Sequence, residues 1–398
     1  LMEQAAQRGG REGAERDEAR VDRRAHLSRG YFLHEEHARA IGVADRALPA
    51  AERLDAVGLV ADLLITRGTA LGSLGRQYEG LGAIRAGMAL ADTHGLIPIS
   101  LRATINLTAF GQGDPVGTYQ LARSALDTAL RLGRRGYART LRLNATSNAI
   151  EVGDWDWAVD QWRAESETET DELGRIIVRW SLASFGAGRG EDVSAEFEAM
   201  EAWARENADP GVLSSLEGLR AEVAAAEGRL LDASDALLLA AKGDALNAPT
   251  HTKNAALLAL EAAVVARAEA AFAAFEATGT HGKLWDLDRE LIRTGIAALT
   301  APSGTELRSF REVIDGYRDM GLPYRLAQAV LVLLATRGGD EAEVAALADE
   351  AEGILRRLGA KPMLRDLERL RASASGATPG GPAAEPVAPD LARSAVRD

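Results

Sequence analysis

The stretch Asn144-Ala145-Thr146-Ser147-Asn148-Ala149-Ile150-Glu151-Val152, then Gly153-Asp154, then Trp155-Asp156-Trp157-Ala158-Val159, reads as a helix end, a two-residue turn and a helix start. A Gly just past a helix supplies the left-handed backbone that stops it. Trp162 follows one turn into the second helix. Working outward, a Gly in the same role stands at Gly75, Gly113, Gly190 and Gly228, so the spacings are 38, 40, 37 and 38 residues. The positions around each Gly agree too. Seven residues before it stand Gly68, Asn106, Thr146, Ala183 and Ala221; five after it stand Gly80, Thr118, Ala158, Ala195 and Ala233. Small residues at such places let two helices approach closely. One hairpin of helices therefore repeats along the chain.

The period lies between the roughly 34 residues of tetratricopeptide repeats and the roughly 40–47 of HEAT or armadillo repeats. Composition supports helices throughout: 46% of residues are hydrophobic but only 5% aromatic, and Ala, Leu, Arg and Glu dominate. The expected fold is all-α, an α-solenoid of degenerate tetratricopeptide-like hairpins with a disordered C-terminal tail. Residues 1–15 read as a loose start and 16–371 as the array. Within the array the repeats are clearest over 59–245 and irregular over 246–371, and residues 252–276 read as one Ala-rich helical stretch. Residues 372–398, rich in Pro, Gly, Ser and Ala, read as disordered. The chain opens on Leu1, which suggests a piece of a longer protein.

The charge of −13 disfavours nucleic acid, because an acidic surface repels phosphate backbones. There is no cysteine, which excludes disulfides and thiolate metal sites and fits a reducing cytoplasm. No apolar run approaches the roughly 20 residues that cross a bilayer.

Three stretches invite a catalytic or metal reading and are better read otherwise. Gly279-Thr280-His281-Gly282-Lys283 has its glycines too close for a phosphate loop and no hydroxyl after the Lys, so it reads as an inter-helix loop. His34-Glu35-Glu36-His37 lacks the i, i+4 spacing of a helical zinc pair and reads as a solvated helical face. Glu165 to Glu172 lacks the Gly and Glu spacing of a calcium loop and reads as a solvated inter-repeat loop. No cofactor, metal or catalytic set is expected. The residues six before each Gly, Thr69, Leu107, Ser147, Ser184 and Glu222, together with Trp180 ten before Gly190, fall on the inner curve of such an array. They are the candidate partner-binding residues. The expected partner is a protein or peptide on that concave surface, or another domain of a longer parent chain.

The stretch from Thr66 to Gly80, the run Gly153-Asp154-Trp155-Asp156-Trp157-Ala158, and the C-terminal segments Phe310 to Tyr324 and Ile354 to Pro362 resemble the helical repeats at the C-terminal end of large bacterial ATP-binding signalling proteins. In one subfamily an adenylate/guanylate cyclase domain and an ATPase domain precede the repeats; in the other, LuxR-type regulators, a DNA-binding helix-turn-helix follows them. No helix-turn-helix pattern follows Leu370, which favours the cyclase-linked type. The resemblance implies a non-catalytic regulatory or protein-binding module, with the LuxR-type region as the alternative. An enzyme built on a helical toroid would need polar groups converging in a closed cavity, and the sequence reveals none.

Overall fold

The structure is a computed structural model describing residues 2–374 apart from 208–209 and 339–341, with side chains described from residue 15 to residue 373. The described residues form nineteen α-helices and no strand. In chain order these are α1 Met2–Leu33, α2 His37–Arg53, α3 Val57–Ser73, α4 Gln77–Thr93, α5 Ile97–Phe110, α6 Pro115–Arg131, α7 Arg135–Val152, α8 Trp155–Ser166, α9 Glu172–Arg189 and α10 Ser194–Glu206. They continue as α11 Pro210–Ala226, α12 Leu230–Gly243, α13 Ala248–Glu261, α14 Val265–Ala277, α15 Lys283–Thr300, α16 Glu306–Asp319, α17 Pro323–Thr336, α18 Ala342–Leu358 and α19 Lys361–Ala374. Each helix packs on the next, as a solenoid requires.

The turn glycines behave as the repeat predicts at four of the five marked places. Gly75, Gly153, Gly190 and Gly228 all take positive φ. At Gly153, Asp154 N donates to Ala149 O at 2.9 Å, closing a Schellman-type end. Gly113 is the exception. There α5 has already ended at Phe110, and the Asp114 carboxylate caps α6 by accepting from Gly117 N at 3.0 Å. The 252–276 stretch is not one helix either. Ala263 occupies the left-handed region at φ 57°, 35 residues after Gly228, and divides α13 from α14. The repeat persists there with an Ala accepting the conformation that Gly takes elsewhere. The start differs as well, since α1 is helical from Met2, as its Ala, Glu and Arg content favours. The expected tail lies outside the described residues from 375 onward, while 372–374 belong to α19.

Close packing explains the small residues. A Cβ on Gly68 would sit 2.6 Å from Gly80 O, and one on Gly80 would sit 2.6 Å from Gly68 O, so α3 and α4 touch backbone to backbone. Thr146, Ala158, Ala183, Ala221 and Ala233 are buried at the corresponding positions, whereas Ala195 is exposed and marks no close crossing.

The array does not stay open. Helix α17 is apolar all round from Ala329 through Leu334, a pattern that marks a helix surrounded by protein. It packs on α13 and α15 and returns to α7, while α19 returns to α9 and α11. A second seam brings Gln112 Nε2 to Leu246 O at 3.1 Å and the Tyr78 ring edge-on to His281 at 4.6 Å. One continuous core accordingly runs from Tyr119 to Leu370, whereas the first hairpins share smaller clusters, such as Val21 to Leu63 and Ile65 to Leu107. Among the described residues no helix is long and apolar enough to cross a membrane.

Candidate ligand cavity

The returning helices close a half-enclosed cavity of about 380 Å³ against the inner faces of α7, α9, α11 and α13. The repeat register supplies one wall. Ser147 and Glu151 come from α7, Trp180, Ser184 and Phe185 from α9, and Gly218 and Glu222 from α11. His251, Asn254 and Glu261 of α13 continue it. Tyr324 and Gln328 of α17, with Met363 and Asp366 of α19, form the lid. The size falls within the roughly 300–1,000 Å³ of small-molecule sites.

The lining combines aromatic rings with carboxyl groups. Trp155, which opens α8, meets Phe185 at 6.0 Å and Tyr324 at 5.7 Å between centroids, so three rings from three helices form one apolar corner. Its indole N–H is satisfied by Ile150 O at 3.2 Å. Glu222 lines the cavity with much of its surface accessible to solvent, while burial among the surrounding helices partly desolvates its carboxyl group. That burial pushes its carboxyl up to about 7, against the opposing pull of the Ser184 hydroxyl. Burial likewise raises Glu261 to about 8; the Asp366 charge adds to the rise and Arg369 opposes it. Burial holds His251 below the usual imidazole range, with Asp244 opposing. Near neutrality Glu261 and His251 are thus mainly uncharged, and Glu222 is about half so. Asn254 keeps a buried Oδ1 with no hydrogen-bond partner.

Behind the lid lies a fully internal charge network. Arg325, only 3% exposed, donates from Nε to Glu151 Oε2 at 2.8 Å and pairs through Nη1 with Asp288, only 1% exposed. Tyr317 Oη donates to Asp288 at 2.7 Å. Lys253 is buried nearby; burial first, then Arg325, lowers its ammonium to about 8, while Asp288 and Glu151 work against that shift. Glu151 and Arg325 are 174 residues apart, so this network fastens α17 to α7 and thereby holds the lid in place.

The structure gathers four of the six sequence candidates, Ser147, Trp180, Ser184 and Glu222, onto this single cavity. It does not bring Thr69 or Leu107 there. Thr69 is buried, with its hydroxyl donating to Ile65 O at 2.7 Å and accepting from Asn106 Nδ2 at 2.8 Å. Leu107 is buried with Ile65, Ile84 and Ala103. In these first repeats the same register faces the neighbouring hairpin, so neither residue presents a surface. The expected open concave surface is also corrected across α7 to α13, because the chain's own α17 and α19 occupy it.

The other stretches have simple places. Gly279 to Lys283 joins α14 to α15. His34 and His37 straddle the turn between α1 and α2, with His37 tilted against Phe32 at 5.6 Å, so they share no helical face. The Glu165 to Glu172 segment is tied down rather than freely solvated: Glu165 holds Arg142 at 2.7 Å, and Glu169 holds Arg139 at 2.7 Å. Among the described residues no three His, Asp or Glu side chains are grouped to hold a metal. Sequence reasoning missed Glu261, His251, Tyr324 and Asp366. The only available signal was the all-round apolar α17, which implies burial inside the array. Compared with protein-family models and with curated proteins, the sequence matches none.

Proposed function

We propose that the chain is a non-catalytic regulatory module that binds a small ligand inside its own array. The observation that carries this reading is the return of α17 and α19 across the inner curve, which leaves a roofed cavity of about 380 Å³ where a long peptide would otherwise lie. An apolar corner with a few polar groups is the usual make-up of such a site. Occupancy would act on the lid, since Tyr324 and Asp366 belong to the two helices that complete the ring. A ligand that binds only the closed state shifts the balance between closed and open arrays, and a neighbouring domain resting on those helices would feel that shift. This is the kind of work that the resemblance to the repeat regions of cyclase-linked ATP-binding signalling proteins implies, and the LuxR-type alternative would use the same device.

The test is a small-molecule panel read by thermal unfolding of the wild-type chain and of Ser184→Trp and Gly218→Trp, which place an indole in the cavity. Ligands at about 100 times Kd should stabilise the wild type by about 2.7 kcal/mol. The stabilisation should vanish in both filled variants. Compounds that stabilise wild type and filled variants alike would contradict a site in this cavity.

A further inference from the structure

Charge and aromatic placement in the cavity indicate which chemistry it takes; this step rests on the ligand reading above. The lining includes Glu151, Glu222, Asp244, Glu261 and Asp366 and not one Lys or Arg, in a protein with 46 basic residues. Some of these carboxylates are already answered. Arg325 takes Glu151, Arg369 lies 3.3 Å from Asp366, and Asp244 accepts from the backbone N–H of Leu246 at 3.0 Å. Among the described residues Glu222 and Glu261 join no ion pair. The rings tell the same story. Elsewhere three of the tryptophans carry an arginine: Arg123 lies 4.4 Å over Trp157, Arg142 lies 5.6 Å over Trp162, and Arg325 lies 5.7 Å over Trp285. Among the described residues no cation lies over Trp155, Trp180, Phe185 or Tyr324, the rings of the cavity. A ring face in a desolvated site attracts a cation by about 2 kcal/mol or more.

We infer that the cavity binds an organic monocation, a protonated amine or quaternary ammonium on an apolar body, with its charge between Glu222 and Glu261 and its body against Trp155, Phe185 and Tyr324. The same features exclude anions. A phosphate or carboxylate would meet five acidic side chains and neither Lys nor Arg in the lining, where the one imidazole, His251, is held towards its neutral form by burial. They also favour a cation over a purely neutral ligand, which would leave the bare ring faces without a complementary charge. With the Glu261 carboxyl raised to about 8 and that of Glu222 to about 7, the first is mainly protonated and the second about half protonated near neutrality, so an arriving cation draws a proton off one of them. Binding and proton release are therefore linked.

The experiment is isothermal titration calorimetry of the full chain with three matched classes: arylalkylammonium ions (phenethylammonium, tryptammonium), their neutral alcohols (2-phenylethanol, tryptophol), and the corresponding carboxylates (3-phenylpropionate, indole-3-propionate). The ammonium ions should bind at least about tenfold more tightly than the alcohols, as a desolvated cation–π contact and a charge-assisted hydrogen bond allow. The carboxylates should bind more weakly still. At pH 7 the ammonium enthalpy should vary with the ionisation enthalpy of the buffer, the mark of a released proton. In Glu222→Gln/Glu261→Gln the ammonium affinity should fall to that of the alcohol, the alcohol affinity should hold, and the buffer dependence should disappear. Alcohols or carboxylates binding as well as the ammonium ions, with all binding lost in Ser184→Trp, would overturn the cation assignment and leave the cavity reading standing. Should no member of the three classes bind the folded wild type, the cavity reading falls together with the cation. The wild-type comparison does not depend on the variants, so a poorly folding double variant leaves the result decisive.

Discussion

Helices α2 to α6 and helices α13 to α19 are built on the same hairpin, yet they are held together differently. In the first region neighbours in sequence do the work. Gly68 and Gly80 bring α3 and α4 into backbone contact, and the buried polar link joins adjacent hairpins: Arg102 reaches Thr66 Oγ1 at 3.2 Å and Asp62 at 2.7 Å on the preceding one, while Gln112, bonded to Leu246, is a long-range exception at the region's end. In the second region the close-packed glycines, Gly295 and Gly316, meet leucine side chains rather than backbone, and the defining polar link, Arg325 to Glu151, joins residues 174 apart. The difference shows that a repeat can be converted into a closed container by changing only the residues that face inward late in the chain. The middle helices, α7 to α13, supply the wall; α17 and α19 return and roof it.

That contrast can be broken most forcefully at the charge network. Arg325→Met removes the guanidinium paired with the buried Asp288, leaving that carboxylate only the Tyr317 hydroxyl and the nearby Lys253, so the chain should lose about 3 kcal/mol of stability. Hydrogen exchange should show protection falling in α17, α19 and the facing part of α7, with α2 to α4 unaffected. Loss spread evenly over the molecule would mean that the two regions are not separately held. The converse perturbation is Gly68→Ala. Its methyl group would meet Gly80 O and the Ile84 backbone N within 3.0 Å, an overpacking that costs about 1–3 kcal/mol. Here the exchange change should centre on α3 and α4 and leave ligand binding in the cavity intact.

A smaller effect concerns pH. Glu222 and Glu261 have carboxyl groups raised to about 7 and about 8, well above the unfolded value near 4.3. Between those values the folded chain holds more protons than the unfolded one, so stability is greatest below about pH 4.5 for these two groups and declines as pH rises to about 8. Glu222→Gln/Glu261→Gln should flatten that decline in urea unfolding. The gain at pH 8 should be on the order of 1 kcal/mol, because cavity water screens Glu222. An unchanged slope would place both carboxylates in ordinary solvent. The smallest effect is expected at Ala263, where Gly should relieve the left-handed strain and stabilise the α13–α14 turn by about 0.5–1 kcal/mol, measurable as a raised urea midpoint.

The same division governs how much was legible beforehand. The hairpin could be read from Gly153 and the small residues around it, because turn conformation and helix crossing are set by residues a few positions apart. Register then placed Ser147, Ser184 and Glu222 on one face, and all three line the cavity. It failed at Thr69 and Leu107, since the same register says which way a side chain points but not whether the next hairpin covers it. Closure was not legible at all. Nothing within a repeat of Arg325 announces Glu151, and Tyr324 and Asp366 acquire their role only when distant segments meet. The break at Ala263 was missed for a related reason: tertiary packing imposed on an Ala a backbone shape that local sequence assigns to Gly.

Ring closure is the claim on which the cavity, its lid and its chemistry all depend, and it can be measured directly. The chain has no native cysteine, so Glu191→Cys and Lys361→Cys can be spin-labelled uniquely. Lys361 Cβ lies 3.8 Å from where a Cβ on Gly190 would stand, which places the two labels side by side across the α9–α19 seam. Double electron–electron resonance should return one narrow distribution at the shortest distances the method reads; a broad distribution centred at long distance would show an open solenoid and contradict the account.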